Sequence, residues 1–313
     1  MRTILLPTTL EDPVELPAGW RARDYDPAEV LPADVLDAEV LVVWGNRRPA
    51  LVDAARRLPH LRWVACLASG TDAVLDAGFD PSVAVTSGRG LHDGPVAEHT
   101  LALLLAAVRR IPTLVRAQDQ HRWADDVGGL QRVHDPELRT LAGAHVVVWG
   151  FGSIALRLAP LLVALGASVT GVATTPGERG GFPVVGPDEL GRLLPAADVL
   201  VGILPATPAT RHAIGADVLA ALPPRALVVN VGRGATLDET ALVDAVRSGS
   251  VAGAALDVFD REPLPTTSPV WDEPRIIVSP HAAGGRPQDA GAFLGAALRA
   301  HDAGAPLPNL VAR

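Results

Sequence analysis

His145-Val146-Val147-Val148-Trp149 runs without a break into Gly150-Phe151-Gly152-Ser153-Ile154-Ala155, and residues 154–165 then take on the apolar spacing of a helix. A continuous apolar run of this length reads as a buried strand of a parallel sheet. The G-x-G-x-x-[G/A] pattern therefore stands between a strand and a helix, the context that gives it meaning. Gly150 permits the tight turn, Gly152 lets backbone approach a pyrophosphate, and the small Ala155 lets the helix pack closely on the sheet. Ser153 and Ile154 open the helix, whose unpaired N–H groups and positive dipole end face the phosphates. The stretch predicts a dinucleotide site.

Similar units recur outward from this stretch. Apolar, β-rich runs at 3–6, 40–43, 63–67, 83–86, 168–172, 199–203, 227–231, 254–258 and 276–278 alternate with helical spacing at 96–110, 154–165 and 239–246. This alternation predicts an α/β protein with parallel sheets covered on both faces and joined by right-handed crossovers. Residues 176–187 follow a strand and read as a loop. The glycine-rich 87–94 precedes an apolar helical stretch at 96–110, which suits a buried wall between two lobes. Pro95 fits the first turn of that helix. Two lobes are expected: residues 1–94 with 285–313, and residues 95–284.

Composition narrows the function. The 313 residues carry 27 Lys+Arg against 35 Asp+Glu, a net charge of −8, which lacks the broad positive field that nucleic-acid binding needs. The single cysteine, Cys66, excludes an intramolecular disulfide framework and a cysteine zinc site, and no metal is expected. Cys66 sits in the apolar run 62–67 and reads as a buried strand residue. No apolar stretch is long enough to span a membrane, and Pro7 interrupts the first hydrophobic run before it could form a signal-peptide core. A cytoplasmic protein is expected.

The strand at 168–172 ends at Ala173-Thr174-Thr175-Pro176. An NAD site places Asp or Glu near here, on the ribose 2′-hydroxyl. Ala173, 23 residues after Gly150, is not acidic, and Thr174 and Thr175 can donate hydrogen bonds to a 2′-phosphate. This favours NADP over NAD. Arg179 is the nearest arginine, but it lies beyond Pro176 and Gly177.

Three later segments deliver chemistry at strand ends, where open α/β sheets form their sites. Leu227-Val228-Val229-Asn230-Val231-Gly232-Arg233-Gly234 lifts an arginine between two glycines, and such a fork suits a planar carboxylate. Asp257 and Glu262 close the next strand. Ser279-Pro280-His281-Ala282-Ala283-Gly284 presents a histidine after a third. A carboxylate beside an imidazole orients it and keeps a proton available near neutral pH. Taken alone, either acid could be a solvated loop charge. Together these groups can hold a 2-keto acid and protonate its oxygen while a nicotinamide reduces its carbon.

These segments, in this order, resemble the signatures of the D-isomer-specific 2-hydroxyacid dehydrogenases. So do Ala68-Ser69-Gly70-Thr71-Asp72, Pro95-Val96-Ala97-Glu98-His99-Thr100 and Leu204-Pro205-x-Thr207-x-x-Thr210-Arg211. The resemblance runs from about residue 64 to the C-terminus. It implies two Rossmann- or flavodoxin-like lobes, a dinucleotide domain inserted into a substrate domain, with the active site in the cleft between them. Arg233, Glu262 and His281 would be catalytic, with Glu262 orienting His281. Ser69 and Gly70 would bind substrate with Arg233 and His281. Gly150, Gly152, Ser153, Ile154, Thr174, Leu204, Pro205, Thr210, Val231 and Asp257 would bind NADP or NAD, with Asp257 facing the nicotinamide carboxamide. The activity implied is reduction of glyoxylate, hydroxypyruvate or a larger 2-keto acid by a homodimer joined through the interdomain helix and its following arm. The alternatives are a dinucleotide-sensing binding protein or corepressor, or a formate- or phosphite-type dehydrogenase. His99 is expected to be a packing residue, and Trp44 or Arg47 could shape substrate choice.

Overall fold

The computed structural model describes residues 1–127 and 137–311. Its contacts divide the chain into two compact units, Met1–His92 with Arg286–Arg313, and Asp93–Gly285. Among the described residues no helix is long and apolar enough to cross a membrane.

The first unit is built on β1 (Arg2–Pro7), β2 (Trp20–Tyr25), β3 (Val40–Val43), β4 (Trp63–Cys66) and β5 (Ala84–Thr86). All pair in parallel, in the order β2-β1-β3-β4-β5. Successive side chains along a strand point to opposite faces, and each face meets its own core. Leu41, Val43, Val64 and Cys66 enter one core, and Val40, Val42, Trp63 and Ala65 enter the other. The second core is completed by Ala290, Leu294, Ala297 and Leu298 of the helix Ala290–Asp302. Cys66 is buried, as expected.

The second unit carries β6 (His145–Trp149), β7 (Ser168–Val172), β8 (Gly177–Arg179), β9 (Phe182–Val185), β10 (Val199–Gly202), β11 (Leu227–Asn230), β12 (Gly253–Leu256) and β13 (Ile276–Val278). The order is β13-β12-β11-β10-β6-β7-β9-β8, parallel except for the β8–β9 pair. Alternation again splits the core: Val146, Val148, Val199, Val201 and Val229 on one face, Val147, Leu200, Val228 and Leu256 on the other. The apolar helix Asp93–Val108 packs on the first of these faces beside the helix Ser153–Ala164. From β6 the chain passes to β7 on one side and, later, to β10 on the other. The end of β6 is thus a topological switch point, where such sheets bind ligands.

Two features differ from the sequence expectation. β2 is a strand although Trp-Arg-Ala-Arg-Asp-Tyr is largely polar; it is a sheet edge with only its terminal residues buried, so periodicity cannot reveal it. Residues 176–187 form the β8–β9 hairpin rather than an irregular loop. Its register leaves Gly180 and Gly181 as a two-residue turn with φ of +59° and +83°, the left-handed pair that a tight hairpin requires.

Candidate active site

All sheet strands except β8 run the same way in the second unit, so the loops after β6, β10, β11, β12 and β13 leave from one edge. Gly150 opens the first of these loops with φ +102°. A Cβ there would lie 2.3 Å from the Ile203 carbonyl oxygen, so the β10 loop closes against it. Gly152 caps the helix Ser153–Ala164, and a Cβ added to it would meet no atom within 4 Å. One glycine is demanded by packing. The other keeps space clear in front of a helix N-terminus, which is the cradle that a pyrophosphate needs.

On the neighbouring loop Leu204 is buried. Thr210 Oγ1 donates to the Pro205 carbonyl (2.6 Å), and its backbone N–H donates to Thr207 Oγ1 (3.2 Å). Thr210 therefore pins the shape of the loop it belongs to. Gly232 packs against that loop, since a Cβ there would stand 2.6 Å from Leu204 N. Val231, just before it, is buried.

Arg233 is set by its backbone. Buried Asn230 accepts from the Gly232 N–H (3.2 Å) and donates to the Arg233 carbonyl (3.2 Å), which also accepts from Thr236 Oγ1 (2.7 Å). Gly234 has no room for a side chain: its Cβ would come 1.8 Å from the Phe259 carbonyl carbon. The Arg233 loop thus abuts the turn that follows β12.

Glu262 closes that turn. One carboxylate oxygen accepts from the Phe259 N–H (2.9 Å), and the other lies 2.7 Å from His281 Nδ1. Glu262, not Asp257, is the carboxylate on the imidazole. His281 sits at φ +53°, a left-handed conformation rare for a non-glycine residue and concentrated at functional sites. Its ring is about half exposed. With the Nδ1 proton donated to Glu262, Nε2 is the nitrogen left to exchange a proton. An apolar pocket formed by Phe259, Leu264, Trp271, Val278 and Pro280 flanks the pair.

Asp257 is the carboxylate expected to face the nicotinamide carboxamide. It is buried, and its oxygens accept from Ser279 Oγ (2.5 Å) and the N–H groups of Ala282 (2.8 Å) and Ala283 (3.0 Å). Its carbonyl accepts from the His281 N–H (2.7 Å). The carboxylate visibly holds the loop that carries His281. His99 joins this network, with Nε2 2.9 Å from Ser279 Oγ and 3.3 Å from Asp257; it is a satisfied residue, but one that supports the site. The role of His99 was hidden in the sequence because its partners, Ser279 and Asp257, lie far along the chain, whereas Asn230 acts only on its near neighbours Gly232 and Arg233.

Behind the site, Glu239 accepts from the Asp260 N–H (2.7 Å). Burial pushes its carboxyl above the usual range, and the nearby charges of Asp260, Asp238 and Glu262 push the same way. Thr174 and Thr175 are exposed just past β7.

In the first unit, Ser69 and Gly70 lie in the loop after β4, with Ser69 exposed. Trp44 follows β3, its ring 5.3 Å from that of buried His92, and Asn46 accepts from the Trp44 N–H (3.1 Å). Arg47 is exposed at the start of the helix Arg48–Arg57.

The family model of the D-isomer specific 2-hydroxyacid dehydrogenase NAD binding domain matches residues 101–283. D-3-phosphoglycerate dehydrogenase of Mycobacterium tuberculosis is 34% identical over 98% of this chain, and the chain spans 57% of that relative's length. Glyoxylate/hydroxypyruvate reductase A of Photorhabdus laumondii is 32% identical over 79% of this chain and 77% of its own. Among solved structures, the NADPH-dependent glyoxylate/hydroxypyruvate reductase of Sinorhizobium meliloti, in complex with NADP and sulfate, superposes with a TM-score of 0.81. It is 27% identical and covers 99% of this chain and 98% of its own.

Proposed function

The chain belongs to the D-isomer specific 2-hydroxyacid dehydrogenase family, and from that membership we propose that it reduces short 2-keto acids with NAD(P)H, the reverse reaction being oxidation of a D-2-hydroxy acid. The observation that carries the proposal is the Glu262–His281 pair: a carboxylate anchored on the Phe259 N–H and aimed at Nδ1 serves a histidine that transfers protons.

The open cradle at Gly152 fits the dinucleotide. Gly150, Gly152, Ser153 and Ile154 would hold its pyrophosphate, Thr174 its ribose, and Leu204, Pro205, Thr210 and Val231 its nicotinamide side. When bound, the nicotinamide supplies the hydride that reduces the substrate's carbonyl carbon. Arg233 would bind the substrate carboxylate through its planar fork. His281 Nε2 gives its proton to the carbonyl oxygen, and Glu262 holds the ring in place and balances its charge. General acid catalysis of this kind contributes about 10²–10⁴-fold in rate. Asp257 keeps the His281 loop in register.

The enzyme is further proposed to be a cytoplasmic homodimer, drawing on the cell's pool of reduced dinucleotide. The helix Ile111–Asp119 supports a dimer, because Ile111, Leu114 and Val115, with Trp123 beyond it, expose apolar side chains along one arm.

The test follows oxidation of NADPH and NADH with glyoxylate, hydroxypyruvate and longer 2-keto acids. Turnover of at least one is expected, with His281→Ala losing turnover while retaining cofactor affinity. Binding of cofactor with no turnover across the panel would replace the enzyme by a dinucleotide-sensing protein.

A further inference from the structure

We propose that Arg179 is the specificity residue for the adenosine 2′-phosphate, making this chain selective for NADPH over NADH; the inference rests on the cofactor reading above. Its place in sequence, beyond Pro176 and Gly177, argues against such a role. The β8–β9 hairpin reverses that argument.

β9 pairs with β7, and the Ala173 N–H donates to the Val185 carbonyl (3.0 Å), so the hairpin is tied to the strand end where an NAD site carries its acid. The Gly180-Gly181 turn sends β8 back antiparallel to β9. It also rests on the helix behind the glycine loop, since a Cβ at Gly180 would lie 2.8 Å from Leu156 Cδ2. The Phe182 ring, across from Arg179 in the ladder, lies 6.0 Å from the ring of Phe151. The hairpin thus brings the Arg179 guanidinium over the glycine loop itself. One terminal nitrogen donates to the Phe151 carbonyl (2.5 Å), between Gly150 and Gly152, and the other to the Thr175 carbonyl (2.7 Å).

Both partners are neutral oxygens, and no ion pair to Arg179 is found among the described residues. Its charge is therefore anchored but not cancelled. A guanidinium carries five N–H donors; two are engaged here, and the rest can meet a phosphate in the fork geometry that arginine favours. Thr174 and Thr175 stand exposed beside it, and Ala173 offers no carboxylate to repel an anion. A cation fixed between the glycine loop and the end of β7, with hydroxyls rather than an acid around it, is a receptor for a dianion on the adenosine ribose.

The test is calorimetric titration of the unliganded full-length protein with adenosine 2′,5′-bisphosphate and with 5′-AMP, alongside fluorescence titration with NADPH and NADH. The wild type should prefer the bisphosphate and NADPH by about tenfold or more, the scale of a charge-assisted contact. Arg179→Gln should lose that preference while 5′-AMP and NADH change less than about twofold, and Arg179→Lys should restore part of it. Thr174→Asp, at an exposed position where folding is not at risk, should pair with Arg179 and shift preference toward NADH. Equal weakening of all four probes in Arg179→Gln would make the arginine a brace for the glycine loop and overturn the proposal, as would a wild type without preference. A wild type that binds none of the probes would instead overturn the cofactor reading and take this inference with it.

Discussion

His281 owes its position to two acids with separate tasks. Glu262 holds its ring through Nδ1, and Asp257 holds its loop through Ser279, Ala282 and Ala283. Glu262→Gln should therefore lower turnover by about a hundredfold with little change in thermal stability, as steady-state rates and melting curves would show. Asp257→Asn replaces one accepting oxygen with an NH₂ group and leaves a buried N–H without an acceptor, a defect costing about 1–3 kcal/mol. That variant should lose stability and turnover together. Glu239 gives a pH-dependent case. Its folded carboxyl titrates above the ordinary 4.5, chiefly because it is buried. The unfolded chain thus ionises first, so the group's contribution is most favourable below pH 4.5 and is lost as pH rises through the folded value. Glu239→Gln keeps an acceptor for Asp260 N and should melt higher than wild type at pH 7. The difference should vanish below pH 4.

At the scale of elements, the glycines that end strands fall into two kinds, and substitution should separate them. Gly234→Ala drives a methyl into the Phe259 backbone, which cannot move as a flexible side chain can. Its cost should reach or exceed the roughly 1–3 kcal/mol typical of overpacking, measured by denaturant unfolding. Gly152→Ala meets nothing in the folded chain, so the melting temperature should hold while cofactor affinity falls, because the methyl enters the space that a pyrophosphate would use. Both glycines were visible as motif residues in the sequence. The motif also marked Gly152 for a ligand, but that Gly234 serves packing was not visible, because the backbone it meets belongs to the turn after β12, tens of residues away. The β8–β9 hairpin was missed for a related reason. A short edge strand bearing Gly-Glu-Arg has no apolar period, and only its register with β9 identifies it.

For the whole molecule, the exposed apolar arm at Ile111, Leu114 and Val115 bears on assembly. Val115 is 50% exposed, so an arginine there can reach into solvent. Sedimentation should therefore show the mass halved relative to wild type, with the far-ultraviolet spectrum of the fold intact. A wild-type protein that sediments as a monomer would remove the dimer from the reading.

What the sequence determined alone was the list of parts: apolar strands alternating with helices, a glycine turn between β6 and its helix, and an arginine, two acids and a histidine at strand ends. Each is written in a few consecutive residues, because strand burial, helix periodicity and turn conformation are local matters. What tertiary structure decided was the partnership among those parts. It brought Glu262 onto His281, as the family resemblance implied, gave Asp257 the loop, and carried Arg179 back over Gly150-Phe151-Gly152. Those pairings depend on which strands lie side by side and how far each loop reaches, and both are set by the packing of the entire sheet.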